Sequence, residues 1–282
     1  GKGIIGATTR EGDEIEKVLG VMTHDNLLFF TNTGKVFQTK AYEIPASTRV
    51  SKGQSIVNFL SLSSEEKTTA IVAFNKDDNY KYLFMATENG TVKKTTLDEF
   101  ENVRRSGLIA IKLEKGDALS WAEATTGSDE VIITTQKGQA IHFKESDVRP
   151  MGRAATGVRG IKLKGDDRAV GMDIVFKGQK GNQLLVIAEN GYGKRSDLKS
   201  YKVQKRGGSG IKTASVTAKT GKLVGAKTIN LDAIEEDLII TSEKGQIIRI
   251  QLKEIPVLGR ATQGVRVMRP QPGDKVGAIT VL

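Results

Sequence analysis

Cysteine is absent from the 282 residues. That excludes disulfides, thiolate nucleophiles and every Cys-ligated zinc or iron–sulfur site, and it fits a reducing compartment. Proline is scarce, with five residues against 31 glycines, and collagen-like and low-complexity compositions are excluded. No apolar run approaches the ~18–20 residues that a membrane helix needs. The two histidines, His24 and His142, stand at unrelated positions, and no His-Glu-x-x-His occurs; turn or surface roles are expected for both. Aromatics make up 5% of the chain, with one tryptophan, Trp121. Proteins that bind single-stranded nucleic acid stack bases on exposed rings. Here Phe29, Phe30, Phe37, Phe59 and Phe74 fall inside strand-like runs and are predicted core.

Catalytic motifs are also missing. There is no phosphate-binding loop; Asn190-Gly191-Tyr192-Gly193-Lys194 is a glycine-rich turn. Gly207-Gly208-Ser209-Gly210 is followed by Ile211, where a nucleophile elbow needs glycine. The acid pairs Asp77-Asp78 and Asp166-Asp167 are predicted turn residues, and no catalytic or metal-binding residue is assigned. No helix-turn-helix or zinc-finger pattern points to sequence-specific reading of a major groove.

What remains is a globular composition, 38% hydrophobic and 27% charged, with 43 Lys and Arg against 33 Asp and Glu. Within it lies a repeat, the feature to be sought first in any new sequence. Five segments read as an apolar strand, a polar turn, glycine and a second strand, with anchor glycines at Gly34, Gly90, Gly138, Gly191 and Gly245. Ten residues after each anchor stands an apolar residue: Ile44, Phe100, Val148, Tyr201 and Ile255. Fifteen residues after stands arginine every time: Arg49, Arg105, Arg153, Arg206 and Arg260. Nineteen residues after stands glycine in four repeats, Gly53, Gly157, Gly210 and Gly264, while the second repeat has Gly107 two residues early.

Each anchor predicts a tight turn. Runs such as Leu238-Ile239-Ile240-Thr241 and Gln246-Ile247-Ile248-Arg249-Ile250 predict strands. About four strands per ~50 residues is the period of a propeller-type blade, whose faces are buried by neighbours. The expectation is a single all-β domain over residues 1–282. Gly3 aligns with the glycine that follows the repeated arginine, so the chain is expected to open in mid-repeat, with six second halves, five first halves and a missing hairpin upstream. Gly1-Lys2-Gly3 is neither a signal peptide nor an initiation site, so the chain is expected to belong to something longer.

Charge is uneven. From Gly193 to Lys227 there are ten Lys and Arg against one acid, Asp197, whereas Asp232, Glu235, Glu236 and Asp237 form an acidic patch. A scattered lysine is ordinarily a solvated one. The repeated arginine is different, because a fixed offset assigns it to the same corner of every blade. Such corners suit a polyanion backbone, or else an architectural role bonding carbonyls of the neighbouring loop. The residues predicted to bind DNA are Lys2, Arg49, Lys52, Arg104, Arg105, Arg153, Arg159, Lys205, Arg206, Lys212, Arg260 and Arg266.

Longer strings carry a family resemblance over essentially the whole chain. Thr23-His24-Asp25-Asn26-Leu27-Leu28-Phe29-Phe30-Thr31-Asn32-Thr33-Gly34-Lys35-Val36, Val103-Arg104-Arg105-Ser106-Gly107-Leu108-Ile109 and Arg149-Pro150-Met151-Gly152-Arg153-Ala154-Ala155-Thr156-Gly157-Val158-Arg159 resemble the C-terminal domain of the DNA gyrase A subunit. That resemblance implies a six-bladed β-pinwheel, a propeller-like array of about 50-residue four-stranded repeats, with an incomplete first blade expected here. It implies duplex DNA bent around a basic rim, presenting a positive crossover so that the holoenzyme introduces negative supercoils. It places the cleaving tyrosine and the ATP- and Mg-dependent steps outside the domain, and needs no cofactor within it. The implied partners are double-stranded DNA, the rest of the gyrase A subunit and the gyrase B subunit, with no membrane. The isolated domain is expected to be monomeric and the location to be the bacterial cytoplasm, with the nucleoid.

The family's hallmark box, Gln-Arg-Arg-Gly-Gly-Lys-Gly, is matched at Gly1-Lys2-Gly3 only in its last three residues, and Gln204-Lys205-Arg206-Gly207-Gly208-Ser209-Gly210 resembles a degenerate cousin of it. Two other readings stay open: the equivalent domain of topoisomerase IV, which selects DNA crossings without strong wrapping, and a propeller scaffold for proteins.

Overall fold

The structure, a computed structural model, describes residues 26–39 and 62–282. Nineteen strands run in chain order through them. They are β1 (Asn26–Thr31), β2 (Lys35–Thr39), β3 (Thr68–Phe74), β4 (Tyr82–Thr87), β5 (Thr91–Thr96), β6 (Leu108–Ile109), β7 (Leu119–Thr125), β8 (Glu130–Thr135), β9 (Gln139–Lys144) and β10 (Val158–Arg159). There follow β11 (Ala169–Val175), β12 (Gln183–Ala188), β13 (Tyr192–Asp197), β14 (Ile211–Lys212), β15 (Leu223–Ile229), β16 (Asp237–Ser242), β17 (Ile247–Gln251), β18 (Val265–Arg266) and β19 (Val276–Val281). Only short 3-10 turns such as Leu97–Phe100 interrupt them.

The anchor glycines lie between the two strands of a hairpin in each repeat. All five have φ between +84° and +94°, the left-handed region that glycine enters without a Cβ clash. A third antiparallel strand joins each hairpin on its other side. The fourth strand belongs to the following repeat: β6 pairs with β2, β10 with β5, β14 with β9, and β18 with β13. These strands are two residues long and sit just past the glycine that follows the repeated arginine. Consecutive repeats are thus tied by strand exchange as well as by packing.

The described residues pack as two compact units. The first, over residues 26–39, 62–128 and 146–160, holds two sheets, in the orders β3-β1-β2-β6 and β10-β5-β4-β7. Its core gathers Leu28, Phe30, Val36, Leu83, Met85 and Phe100, with the Phe30 and Phe100 rings edge to face at 6.3 Å. The second, over residues 129–145 and 161–282, holds two four-stranded sheets and the three-stranded sheet β17-β16-β19. Leu184, Val186, Tyr201 and Leu223 fill one part of its core, and Leu185, Ile187, Leu238, Ile240 and Ile255 another.

The predicted core residues are where the pattern put them. Phe29, Phe30 and Phe37 are fully buried, Phe74 is partly buried against the same core, and Phe100, Val148, Tyr201 and Ile255 are buried at the apolar offset. Phe59, Ile44 and His24 lie outside the described residues, as do Lys2, Arg49, Lys52 and the expected incomplete first blade. β1 is buried at every position because both faces of the strand are covered, which makes its sequence a continuous apolar run instead of an alternation.

Candidate nucleic-acid interface

Among the described residues, the loop carrying each repeated arginine closes on a glycine pressed against the preceding repeat. Gly107, Gly157, Gly210 and Gly264 have φ between +74° and +102°. A Cβ on Gly157 or Gly210 would overlap the carbonyl oxygen of Val92 or Ala140, on the preceding repeat's hairpin. Glycine is required there on both counts.

The segment after each of three exchanged strands also donates a backbone hydrogen bond to the next corner loop. The Lys112 amide donates to the Ala155 carbonyl (3.1 Å), Lys162 to Gly208 (2.8 Å) and Ser215 to Thr262 (3.3 Å).

The predicted cations separate by exposure. Arg104, Arg105, Arg159, Lys205, Lys212 and Arg266 are exposed, while Arg153, Arg206 and Arg260 are half-buried. Arg159, Lys212 and Arg266 hold the same place, the second residue of the exchanged edge strand, opposite Thr91, Gln139 and Tyr192. Arg266 lies over the Tyr192 ring at 4.9 Å and donates to its hydroxyl at 3.2 Å, holding that phenol below its usual pKa. Among the repeated arginines, Arg260 donates through Nη1 to the Lys212 carbonyl, the architectural contact weighed for this position. Arg153 Nε is buried without a hydrogen-bond partner.

Two members of the basic stretch after Gly193 are not surface charges. Lys194 and Arg195 are buried, as are Lys93 and Lys94. Arg195 Nε donates to the Ile255 carbonyl (2.8 Å) and Nη1 to Gln183 Oε1 (2.7 Å). It is one of a series four residues past the anchors, each paired with the residue twelve earlier. Gln38 donates to Asn26 (3.2 Å), the Lys94 ammonium lies 4.6 Å from the Tyr82 ring centre, Glu130 Oε2 lies 3.4 Å from His142 Nε2, and Arg249 donates to Asp237. His142 also bonds the Tyr201 carbonyl through Nδ1 (3.0 Å), as Arg195 bonds that of Ile255. The twelve-apart pairs lie across one hairpin, and the His142 and Arg195 bonds to carbonyls join blades; charge counting had hidden the series, and the clue in the sequence was polarity at a fixed offset inside apolar strands.

Among the described residues no cluster of three or more His, Cys, Asp or Glu is placed to hold a metal ion, and no helix is long and apolar enough to cross a membrane.

Antiparallel blades, one per ~50-residue repeat and four of the five described ones completed by an edge strand from the next repeat, define an all-β propeller whose repeats present arginine corners and cationic edges. The chain belongs to the DNA gyrase C-terminal domain family of β-propellers, whose family model matches residues 1–21, 25–75, 81–126, 129–175, 182–230 and 236–281. Those six segments correspond to six repeats; five sheets lie among the described residues. The chain is similar to the DNA gyrase A subunit of Staphylococcus epidermidis, 39% identical over 280 residues, which are 99% of this chain and 31% of that protein. The chain thus spans less than a third of the length of that relative. A crystal structure of the C-terminal domain of DNA topoisomerase IV matches with TM-score 0.83 and 26% identity, covering 92% of this chain and 80% of the other. A structure of the DNA gyrase A C-terminal domain matches with TM-score 0.76 and 28% identity, covering 92% and 83%.

Proposed function

We propose that residues 1–282 act as one non-catalytic domain that binds, bends and wraps duplex DNA for a gyrase, working with the rest of the gyrase A subunit and with the gyrase B subunit. The observation that carries this reading is the recurrence of Arg159, Lys212 and Arg266 at one exposed edge position in consecutive repeats, each just past an arginine corner. Cations at a structural repeat neutralise phosphates at intervals, so binding is driven by counterion release and is nearly blind to sequence. Bending 20–30 bp through 40–90° costs of order 1–10 kcal/mol, so several phosphate contacts are needed to offset it and no single arginine is decisive. Cleavage and the ATP- and Mg-dependent steps belong to other parts of the holoenzyme.

The test is duplex affinity as a function of salt, together with energy transfer between dyes on the two ends of a linear duplex. Contacts from the six exposed cations alone predict a log–log salt slope of about −5, made steeper by each half-buried corner arginine that also meets a phosphate, with the duplex ends drawn together. Weak, salt-independent binding would contradict the reading. The TM-score of 0.83 to the topoisomerase IV domain favours a second reading, selection of DNA crossings without strong wrapping. That reading predicts a similar slope with the duplex ends left apart.

A further inference from the structure

Lys93 and Lys194 each stand three residues past an anchor glycine, Gly90 and Gly191, and both side chains are fully buried. All but one of their acceptors are in the corner loop of the next repeat; the exception, Ala110, follows β6 in Lys93's own repeat. Lys93 Nζ donates to the carbonyls of Arg153 (2.5 Å) and Ala110 (2.6 Å). Lys194 Nζ donates to the carbonyls of Arg260 (2.6 Å) and Gly259 (2.7 Å) and to Thr262 Oγ1 (3.3 Å). In both cases one acceptor is the carbonyl of the repeated arginine itself.

The lysine tracks the type of loop. Where it is present, the next corner reads Gly-Arg-Ala, as Gly152-Arg153-Ala154 and Gly259-Arg260-Ala261. Where the same place is apolar, as at Phe37 and Ile141, the next corner reads Arg104-Arg105-Ser106 or Lys205-Arg206-Gly207. Phe37 and Ile141 are fully buried, so an apolar side chain also fills this site. Burying an ammonium is costly unless its protons meet acceptors in good geometry. Four of the five acceptors, including every one of Lys194's, belong to the next repeat's corner loop, so that loop is what the charge serves.

We propose that Lys93 and Lys194 are positioning residues of the DNA interface: each grips the corner loop of the next repeat and fixes the backbone from which Arg153 or Arg260 reaches a phosphate. The proposal rests on the duplex-binding reading above. Neither lysine touches DNA itself, and each acts through its arginine.

The test is a double-mutant cycle in the 282-residue chain with Lys194→Met and Arg260→Ala, reading duplex affinity and its salt slope. Loss of one phosphate contact lowers the slope by about 0.9. Lys194→Met is expected to do this alone and to add nothing once Arg260→Ala is present. Additive effects, or an unchanged slope, overturn the proposal. If Lys194→Met fails to fold by circular dichroism, Thr262→Val takes its place in the cycle, with the same expected and overturning results. Thr262 is exposed, and its Oγ1 accepts from Lys194 and donates to the Gly259 carbonyl. A parent chain without salt-dependent duplex binding overturns both readings, whereas a binding parent with an additive cycle overturns only the lysine assignment.

Discussion

An ammonium withdrawn from water costs several kcal/mol unless its protons find partners, and Lys93 and Lys194 find them in carbonyls of the next repeat. Burial pushes both down from 10.5 to about 8, with Arg153 and Arg260 pushing the same way and Glu99 opposing at Lys93. The sign follows from proton counting. Between about pH 8 and 10.5 the unfolded chain holds more protons on these lysines than the folded chain, so stability rises with pH across that window. The contribution is fully present above the unfolded value and is lost as pH falls through about 8. Urea midpoints at about pH 7.5 and 9.5 are expected to rise more in the parent than in Lys93→Met/Lys194→Met; equal changes would contradict it.

A second residue-scale contrast separates DNA contact from architecture. Arg266→Ala is expected to lower the salt slope by about 0.9 and leave the fold intact. Arg195→Ala removes donors to buried acceptors and is expected to cost about 1–3 kcal/mol in urea unfolding, with the slope unchanged. The shared edge position of Arg159, Lys212 and Arg266 was legible in the sequence, because each follows a repeat glycine by two residues. The sequence hid the architectural class, because Lys194 and Arg195 count as charges whether they face water or a carbonyl.

At the scale of elements, the corner glycines do two jobs, a left-handed turn and close approach to another strand. Gly116 offers a control: its φ is +81°, but a Cβ there meets nothing within 4 Å. Gly116→Ala is expected to cost only the backbone strain, about 1 kcal/mol, and Gly210→Ala distinctly more, since its methyl overlaps the Ala140 carbonyl. Equal losses of melting temperature would contradict this. The hairpins were legible because each joins two strands of mostly five or six residues around a glycine. The exchanged strands β6, β10, β14 and β18 were not, because two residues show no periodicity and their partners lie in another repeat. The 56-, 48-, 53- and 54-residue anchor spacings pointed to the number of blades; they could not show which repeat completes which sheet.

For the molecule as a whole, strand exchange and the loop hydrogen bonds join consecutive repeats among the described residues, as do the His142 and Arg195 bonds to carbonyls in the second unit. Unfolding is therefore expected to pass along neighbouring repeats, as in other arrays of this kind. The arginine corners and edge cations recur once per repeat along the chain, and the proposed wrapping rests on that recurrence more than on any one residue. The most direct measurement is ligation of nicked plasmid circles at low salt with increasing amounts of the chain, followed by the linking number on a gel. The proposed function predicts a positive shift that grows with protein and disappears as salt is raised. Binding that leaves the linking number unchanged would contradict wrapping.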